Sequence, residues 1–421
     1  MTPQAPLHIL IITQYFWPEN MRINDLVEGF VSKGHQVTVL TGIPNYPEGK
    51  IYSEFKDNPE KFSTYKGAKI IRAPIFLRGK HNVRLALNYL SFFISASVFG
   101  FYRLRKQRFD AIFVYAASPI LSAIPAIAIG KLKKIPVFIW VLDLWPESLR
   151  ATGVINNQKL LNLVGFCVSW IYDRADYILI QSQAFAENIC RYCNKTIEQE
   201  RIIFFPSWAE EIFSDPSDVS DLISKDESIF TIVFAGNIGH AQGFSSILEA
   251  ARTLSSESIS IRWVIVGDGR ARAWVAENIR ASNLTNVLLP GRHPVEKMPA
   301  LFSIADALLV SLKTNEVLSR TIPGKVQSYL AAGRPIIAMM DGEGARIIKE
   351  AQAGMACASD DAAGLARIVR IMAGMTKEQR ESMGRAGREY YLKHFSRQSL
   401  FNQLEHLFYR ATLRSTTKIK P

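Results

Sequence analysis

The feature that most limits the fold of this chain is an alternation that occurs twice over, in which short apolar runs of strand length are each followed by a segment of helix length. In residues 1–206 the runs are HILIIT (8–13), QVTVLTG (36–42), KIIRAP (69–74), AIFVYA (111–116), PVFIWVLD (136–143), YILIQS (177–182) and RIIFFP (201–206). Seven strands separated by helices predict a doubly wound parallel sheet buried on both faces. Residues 207–228 are acidic and turn-rich, without a sustained apolar period, and read as an interdomain linker. The alternation resumes over 229–395 with IFTIVFAGN, IRWVIVGDG, NVLLPG, ALLVSLK, PIIAMMD and GMACAS. The expected architecture is therefore α/β, two Rossmann-like domains in tandem, with a last helix over 396–421 able to reach back over the first. A length of 421 residues lets each domain bury its own core.

In doubly wound sheets ligands bind beyond the carboxyl ends of the strands. In the first domain that rule selects the loops 14–24, 42–50 and 143–150. Asp143 ends a strand in VLDLWPESLR, where a carboxylate can steady positive charge developing on a sugar ring or cap the following turn. Glu19, Asn20, Arg22, Asn45, Tyr46 and Lys50 offer polar contacts to an acceptor, and each alone is as consistent with a surface position.

The second domain holds the sharper signal, TIPGKVQSYLAAGRPIIA (321–338). It reads as a helix with Pro323 in its first turn, stopped by Gly333 and followed by a buried strand. Gly324 and Lys325 fall where free backbone N–H groups and the positive helix end point the same way, a place suited to phosphate. Arg320 stands close by. The loop GNIGHAQG brings Gly236, Gly239 and Gly243 after a strand, so its N–H groups can also turn toward an anion. No Asp-x-Asp occurs in the chain. Nothing therefore calls for a metal or other cofactor, and leaving-group charge falls to Lys325 and the helix end.

Net charge is +12 and uneven, with 24 Lys and Arg against 15 Asp and Glu in residues 1–205, and 26 against 23 thereafter. Such an excess suits a polyanion or an anionic membrane face. Signatures of the common nucleic-acid binders are missing, which disfavours nucleic acid as a partner. LALNYLSFFISASVFGFY (85–102) is uncharged and flanked by Lys69, Arg72, Arg78, Lys80, Arg84, Arg103, Arg105, Lys106 and Arg108. Spanning a bilayer there would divide one sheet between two sides of the membrane. The two remaining readings are a helix lying on an anionic bilayer and a helix buried against the sheet, with the charge asymmetry favouring the first. The four cysteines are too scattered for a disulfide framework, and Cys190-Arg-Tyr-Cys193 is a lone CxxC, better read as two thiols on a helix than as a zinc site. The N-terminal residues lack a basic n-region and a cleavage site, so no export signal is expected and the setting is taken as cytoplasmic and reducing.

QYFWPEN (14–20), TGIPNYPEGKIY (41–52), DLWPES (143–148), GNIGHAQG (236–243) and IPGKVQSYLAAGRP (322–335) together resemble the retaining glycosyltransferases of family 4, and among them the bacterial O-antigen and capsule enzymes of the L-fucosamine transferase type. The resemblance implies a GT-B fold, two Rossmann-like domains facing a central cleft. It implies a donor site drawn from Gly236, Asn237, Gly239, Gln242, Arg292, Arg320, Gly324 and Lys325, with Asp143 at the reacting sugar. The loops 14–24 and 42–50, through Glu19, Asn20, Arg22, Asn45 and Tyr46, would hold the acceptor. Asn237 and Gln242 stand where many members carry Arg and Lys, and Arg320 and Ser328 where many carry paired glutamates. The implied activity is transfer of a sugar from a nucleotide-sugar, with UDP expected, to a lipid-linked saccharide at the inner membrane face. A nucleotide-sugar epimerase of the same fold and a non-catalytic two-lobed binding protein are the rival readings.

Overall fold

The computed structural model describes residues 5–79, 82–193, 199–214, 223–257 and 259–417. The chain divides into two compact units, Met1–Phe205 with Phe401–Pro421, and Pro206–Leu400.

The first unit is built on an eight-stranded sheet. Its strands are β1 (His8–Ile12), β2 (Gln36–Gly42), β3 (Thr64–Tyr65), β4 (Ala68–Ala73), β5 (Ala111–Ala116), β6 (Val137–Val141), β7 (Tyr177–Ile180) and β8 (Ile202–Phe204), in the order β3-β4-β2-β1-β5-β6-β7-β8. All seven expected strands are present and parallel to their neighbours. The two-residue β3 is an addition, antiparallel to β4 through a turn at Lys66 and Gly67. It is too short to show in an apolar pattern.

Alternate strand residues serve two cores. Leu10, Ile12, Ile112, Val114 and Ile139 pack with Phe92, Ala126, Val168 and Ile171 from the helices that follow β4, β5 and β6. On the opposite face Phe113 and Phe138 meet Phe408, at ring-centroid distances of 6.2 and 4.8 Å, and Phe408 also touches Phe30 of the helix Arg22–Ser32. Phe408 belongs to the last helix, Arg397–Thr417, which thus supplies one layer of the first unit. The buried His35 accepts from Leu7 N–H through Nδ1, and its Nε2 meets Glu405 at 2.8 Å, fastening the same helix at the edge of the unit.

The second unit carries a six-stranded parallel sheet of β9 (Phe230–Ala235), β10 (Ile261–Val266), β11 (Val287–Gly291), β12 (Ala307–Ser311), β13 (Ile336–Met339) and β14 (Gly354–Cys357), in the order β11-β10-β9-β12-β13-β14. The order in which strands are added reverses between β1 and β5 in the first sheet and between β9 and β12 in the second, the places where such folds open a crevice.

The expected linker is only partly a linker. Trp208, Ala209 and Phe213 are buried, and Phe213 stacks on Phe302 at 5.5 Å, so residues 206–214 pack into the second unit through these side chains; residues 215–222 lie outside the described ones. Three aromatic or small apolar side chains amid acids gave no periodic signal. All four cysteines are free thiols, with Cys190 on the helix Phe185–Arg191 and Cys193 just after it.

Candidate functional site

In the second unit the helix of the TIPGK segment runs Gly324–Ala331, with Pro323 as its N-cap in extended conformation rather than inside the first turn. Gly333 adopts φ +63° directly after it, as the sequence requires. Val326, Tyr329 and Leu330 anchor the helix in the core, and the Tyr329 phenol accepts from Ala235 N–H at 3.1 Å, tying the helix to the end of β9. The next residue is Gly236. Lys325 is half-buried with its amine turned inward, Nζ 3.5 Å from the centroid of the Phe234 ring. Burial pushes its pKa down to about 7. No ion pair with a carboxylate forms at this lysine among the described residues. A desolvated cation over an aromatic face, at a helix N-terminus and without a counter-ion, is a site that gains by receiving an anion.

The glycine loops fit closely around it. Gly236 has φ +135°, and a Cβ there would stand 2.6 Å from Lys325 Cε. Gly267, with φ +145°, has its would-be Cβ 1.8 Å from the Gly236 carbonyl oxygen. A cavity of about 330 Å³ opens beside these residues, lined by Gly236, Asn237, Gly267, Asp268, Arg292 and His293 among others. The family resemblance placed Gly236, Asn237 and Arg292 together, and all three line this cavity. Sequence reasoning missed His293, whose buried Nε2 has no partner among the described residues; a lone His beside the expected Arg292 was the available signal.

Other expected donor residues stand less directly. Gln242 Oε1 accepts from Gly239 N–H at 3.0 Å, closing its own turn. Arg320 pairs with Glu316 one helical turn earlier at 2.8 Å. Gly324 is exposed, with open space where a Cβ would point.

In the first unit Asp143 sits two residues beyond β6. It accepts from Ser148 Oγ, and burial raises its pKa from the ordinary carboxylate value. Of the acceptor candidates, Glu19 is buried, with Oε1 accepting from Asn45 N–H (2.8 Å) and Tyr46 N–H (2.7 Å) and Oε2 from Phe16 N–H (2.9 Å). Asn45 in turn donates to Ile43 O and accepts from Arg78 N–H. Both side chains therefore join and shape the two loops, whereas Tyr46 faces a cavity and Asn20 is exposed. Arg22 is half-buried, and Lys50 is exposed.

The uncharged stretch forms a helix, Asn82–Ser95, continued by a π turn over Ala96–Gly100 and by Phe101–Leu104. Asn88, Phe92, Ala96, Gly100 and Leu104 are buried on one face. Val83, Leu87, Leu90, Ile94, Val98 and Phe101 form an exposed stripe on another. The segment Val83–Leu104 is long and apolar enough to cross a membrane, yet 22% of its most apolar window is buried within the unit. Arg72 is not one of the surface cations that the flanking pattern suggested: it is mostly buried and donates to the carbonyls of Gly42 and Trp17. Lys80 lies outside the described residues, while Arg84, Arg103, Arg105, Lys106 and Arg108 are exposed.

Two family models match the chain, "Glycosyl transferase 4-like domain" over residues 20–208 and "Glycosyl transferases group 1" over 229–373. A curated relative, the putative colanic acid biosynthesis glycosyl transferase WcaI of Escherichia coli (strain K12), is 23% identical over 319 residues, 73% of this chain and 76% of that protein. Among solved structures, a glycosyltransferase from Rickettsia africae aligns with TM-score 0.67 at 14% identity, covering 97% of this chain and 99% of that one. Anabaena Alr3699/HepE in complex with UDP aligns with TM-score 0.68 at 12% identity, covering 96% and 100%. WaaG, a glycosyltransferase involved in lipopolysaccharide biosynthesis, aligns with TM-score 0.61 at 14% identity, covering 96% and 100%. These likenesses show the two-domain GT-B fold.

Proposed function

Because this chain belongs to the family 4 glycosyltransferases, we propose that it moves a sugar from a UDP-sugar to a lipid-linked saccharide in surface polysaccharide synthesis, with retention of anomeric configuration and without a metal ion. The observation that carries this reading is Lys325, a half-buried amine at the first turn of a helix, with no carboxylate to pair it among the described residues and a glycine-lined cavity alongside. A diphosphate set there meets the lysine and the N–H groups of the helix end. As the bond from the anomeric carbon to the diphosphate oxygen breaks, that oxygen gains charge, which these groups stabilise. The acceptor hydroxyl bonds to the anomeric carbon on the same face, and its proton passes to the departing phosphate. Asp143 is assigned to the positive charge on the sugar ring. Asn237 and Arg292 are assigned to the donor, and Tyr46 to the acceptor.

The exposed stripe supports a peripheral place on an anionic membrane. Val83, Leu87, Leu90, Ile94, Val98 and Phe101 recur at helical spacing, and Arg103, Arg105, Lys106 and Arg108 follow at one end. Neighbouring helices of the same unit add exposed Leu132, Leu160, Leu163 and Phe166. Apolar side chains backed by cations are the composition of an interfacial helix. The deciding experiment offers a panel of UDP-, GDP- and dTDP-sugars by thermal shift, then assays transfer from the best binder to a lipid-linked acceptor. A protein that binds no nucleotide would refute the donor site, and interconversion of the sugar without an acceptor would mark an epimerase.

A further inference from the structure

A second cavity, of about 290 Å³, opens in the first unit where the strand order reverses, its walls including Thr13 and Gln14 after β1 and Ala117 and Ser118 after β5. Besides these polar walls it is lined by four tyrosines, Tyr15, Tyr46, Tyr89 and Tyr115, and by the guanidinium of Arg78; no Asp or Glu lines it among the described residues. Arg78 is held by phenols: Nη1 donates to Tyr15 Oη at 3.2 Å, the Tyr89 phenol also contacts it, and the guanidinium lies 5.2 Å from the Tyr46 ring centroid. Glu19, in the same loop region, has its charge offset by Arg72 and three backbone N–H groups. Among the described residues, the cavity thus carries a positive charge that no carboxylate meets, set among neutral donors.

Two further observations point to a ligand. The Gln14 side chain is 3% exposed; its Nε2 donates to Asn88 Oδ1 at 2.6 Å, but its buried Oε1 has no partner among the described residues. A buried amide oxygen at the wall of a cavity calls for a donor such as a sugar hydroxyl. Asn88 and Tyr89 also belong to the helix whose other face is the exposed apolar stripe. One helix thus presents oily side chains to the outside and a phenol to the cavity.

We propose that this cavity binds the phosphate group of an amphiphilic acceptor, with Arg78 as the cation that receives it, Tyr46, Tyr89 and Tyr115 as neutral donors around it, and the acceptor's lipid lying along the exposed stripe. The assignment rests on the acceptor reading above and names the group that reading leaves open. Guanidinium recognises phosphate through two parallel N–H bonds, which an ammonium cannot copy. Arg78→Lys therefore keeps part of the affinity and Arg78→Gln little of it.

The test titrates the full chain with farnesyl diphosphate, farnesyl monophosphate, farnesol and glucuronate by calorimetry, and with UDP in the same preparations. The expected result is binding of the farnesyl phosphates but not farnesol, weakened at least about tenfold in Arg78→Gln and less in Arg78→Lys, with UDP binding unchanged. Equal binding by wild type and Arg78→Gln, or by farnesol and its diphosphate, overturns the proposal. Arg78-dependent binding of glucuronate without binding of the farnesyl phosphates also overturns it, by placing the anion on the acceptor's sugar. If Arg78→Gln does not fold, Arg78→Lys and Tyr89→Phe decide, and unchanged affinity in both refutes the site. Failure of wild type to bind UDP would instead strike the donor reading and leave this result to stand on its own.

Discussion

Lys325 and Gly236 occupy each other's space: a methyl group on Gly236 would lie 2.6 Å from Lys325 Cε and 3.2 Å from Nζ. The lysine reaches the end of β9 only because residue 236 has no side chain. Gly236→Ala should therefore displace the amine, besides straining a backbone at φ +135°. Turnover is expected to fall in Gly236→Ala, and by about 10²–10³-fold in Lys325→Ala, with the melting temperature of the latter retained. Steady-state transfer assays with calorimetric melting check both.

The pKa of Lys325, about 7 against 10.5 for the free side chain, sets a pH dependence of definite sign. Between these values the unfolded chain holds a proton that the folded chain has released, so the contribution of this group to stability increases as pH rises from 7. Below about 7 the folded protein carries the buried ammonium in full. Lys325→Met is expected to melt above wild type at pH 6, with the gain shrinking toward pH 9. UDP affinity should move the other way in wild type, weakening as pH rises through 7, and be flat in Lys325→Met.

Binding to vesicles rich in anionic lipid should depend on the exposed stripe. Leu87→Glu with Ile94→Glu, at positions 45% and 56% exposed, is expected to abolish cosedimentation while leaving the melting temperature within a degree or two. Arg103→Glu with Arg105→Glu should weaken it, and added salt should weaken wild type in the same way. Wild-type indifference to vesicles would remove the interfacial role of this helix.

Glu19 is expected to matter for loop order ahead of acceptor chemistry. Glu19→Ala strands three backbone N–H groups and costs about 1–3 kcal/mol of stability. Proteolysis within 42–50 should quicken in the variant, and Glu19→Gln, which keeps one acceptor oxygen, should fall between it and wild type.

What the sequence revealed and what it hid follow from the range of the interactions. Strands buried on both faces show as unbroken apolar runs, and with the less buried edge strands β8, β11 and β14, which keep short apolar runs, thirteen could be read directly. Lys325 was legible because a helix start and its cation are neighbours in the chain. Arg72 and Glu19 were not, since a charged side chain spent on carbonyls or N–H groups 26 or more residues away looks like any surface charge. The phenol-lined cavity draws Tyr15, Tyr46, Tyr89 and Tyr115 from four separate elements, and no spacing announces such a convergence.

Phe408 also makes a prediction. It contacts Phe30, Phe113 and Phe138, so Phe408→Ala should cost about 3–5 kcal/mol. Removal of residues 401–421 should unfold the first unit while leaving the second able to bind UDP, and separate melting transitions would report it.

That arrangement bears on how the molecule is made. Synthesis runs from the N-terminus, so the first sheet leaves the ribosome with Phe113 and Phe138 bare and waits through some two hundred further residues for the aromatic ring that covers them. The nascent chain is thereby exposed to chaperones for the whole interval, and the unit that begins translation first is the last to finish folding.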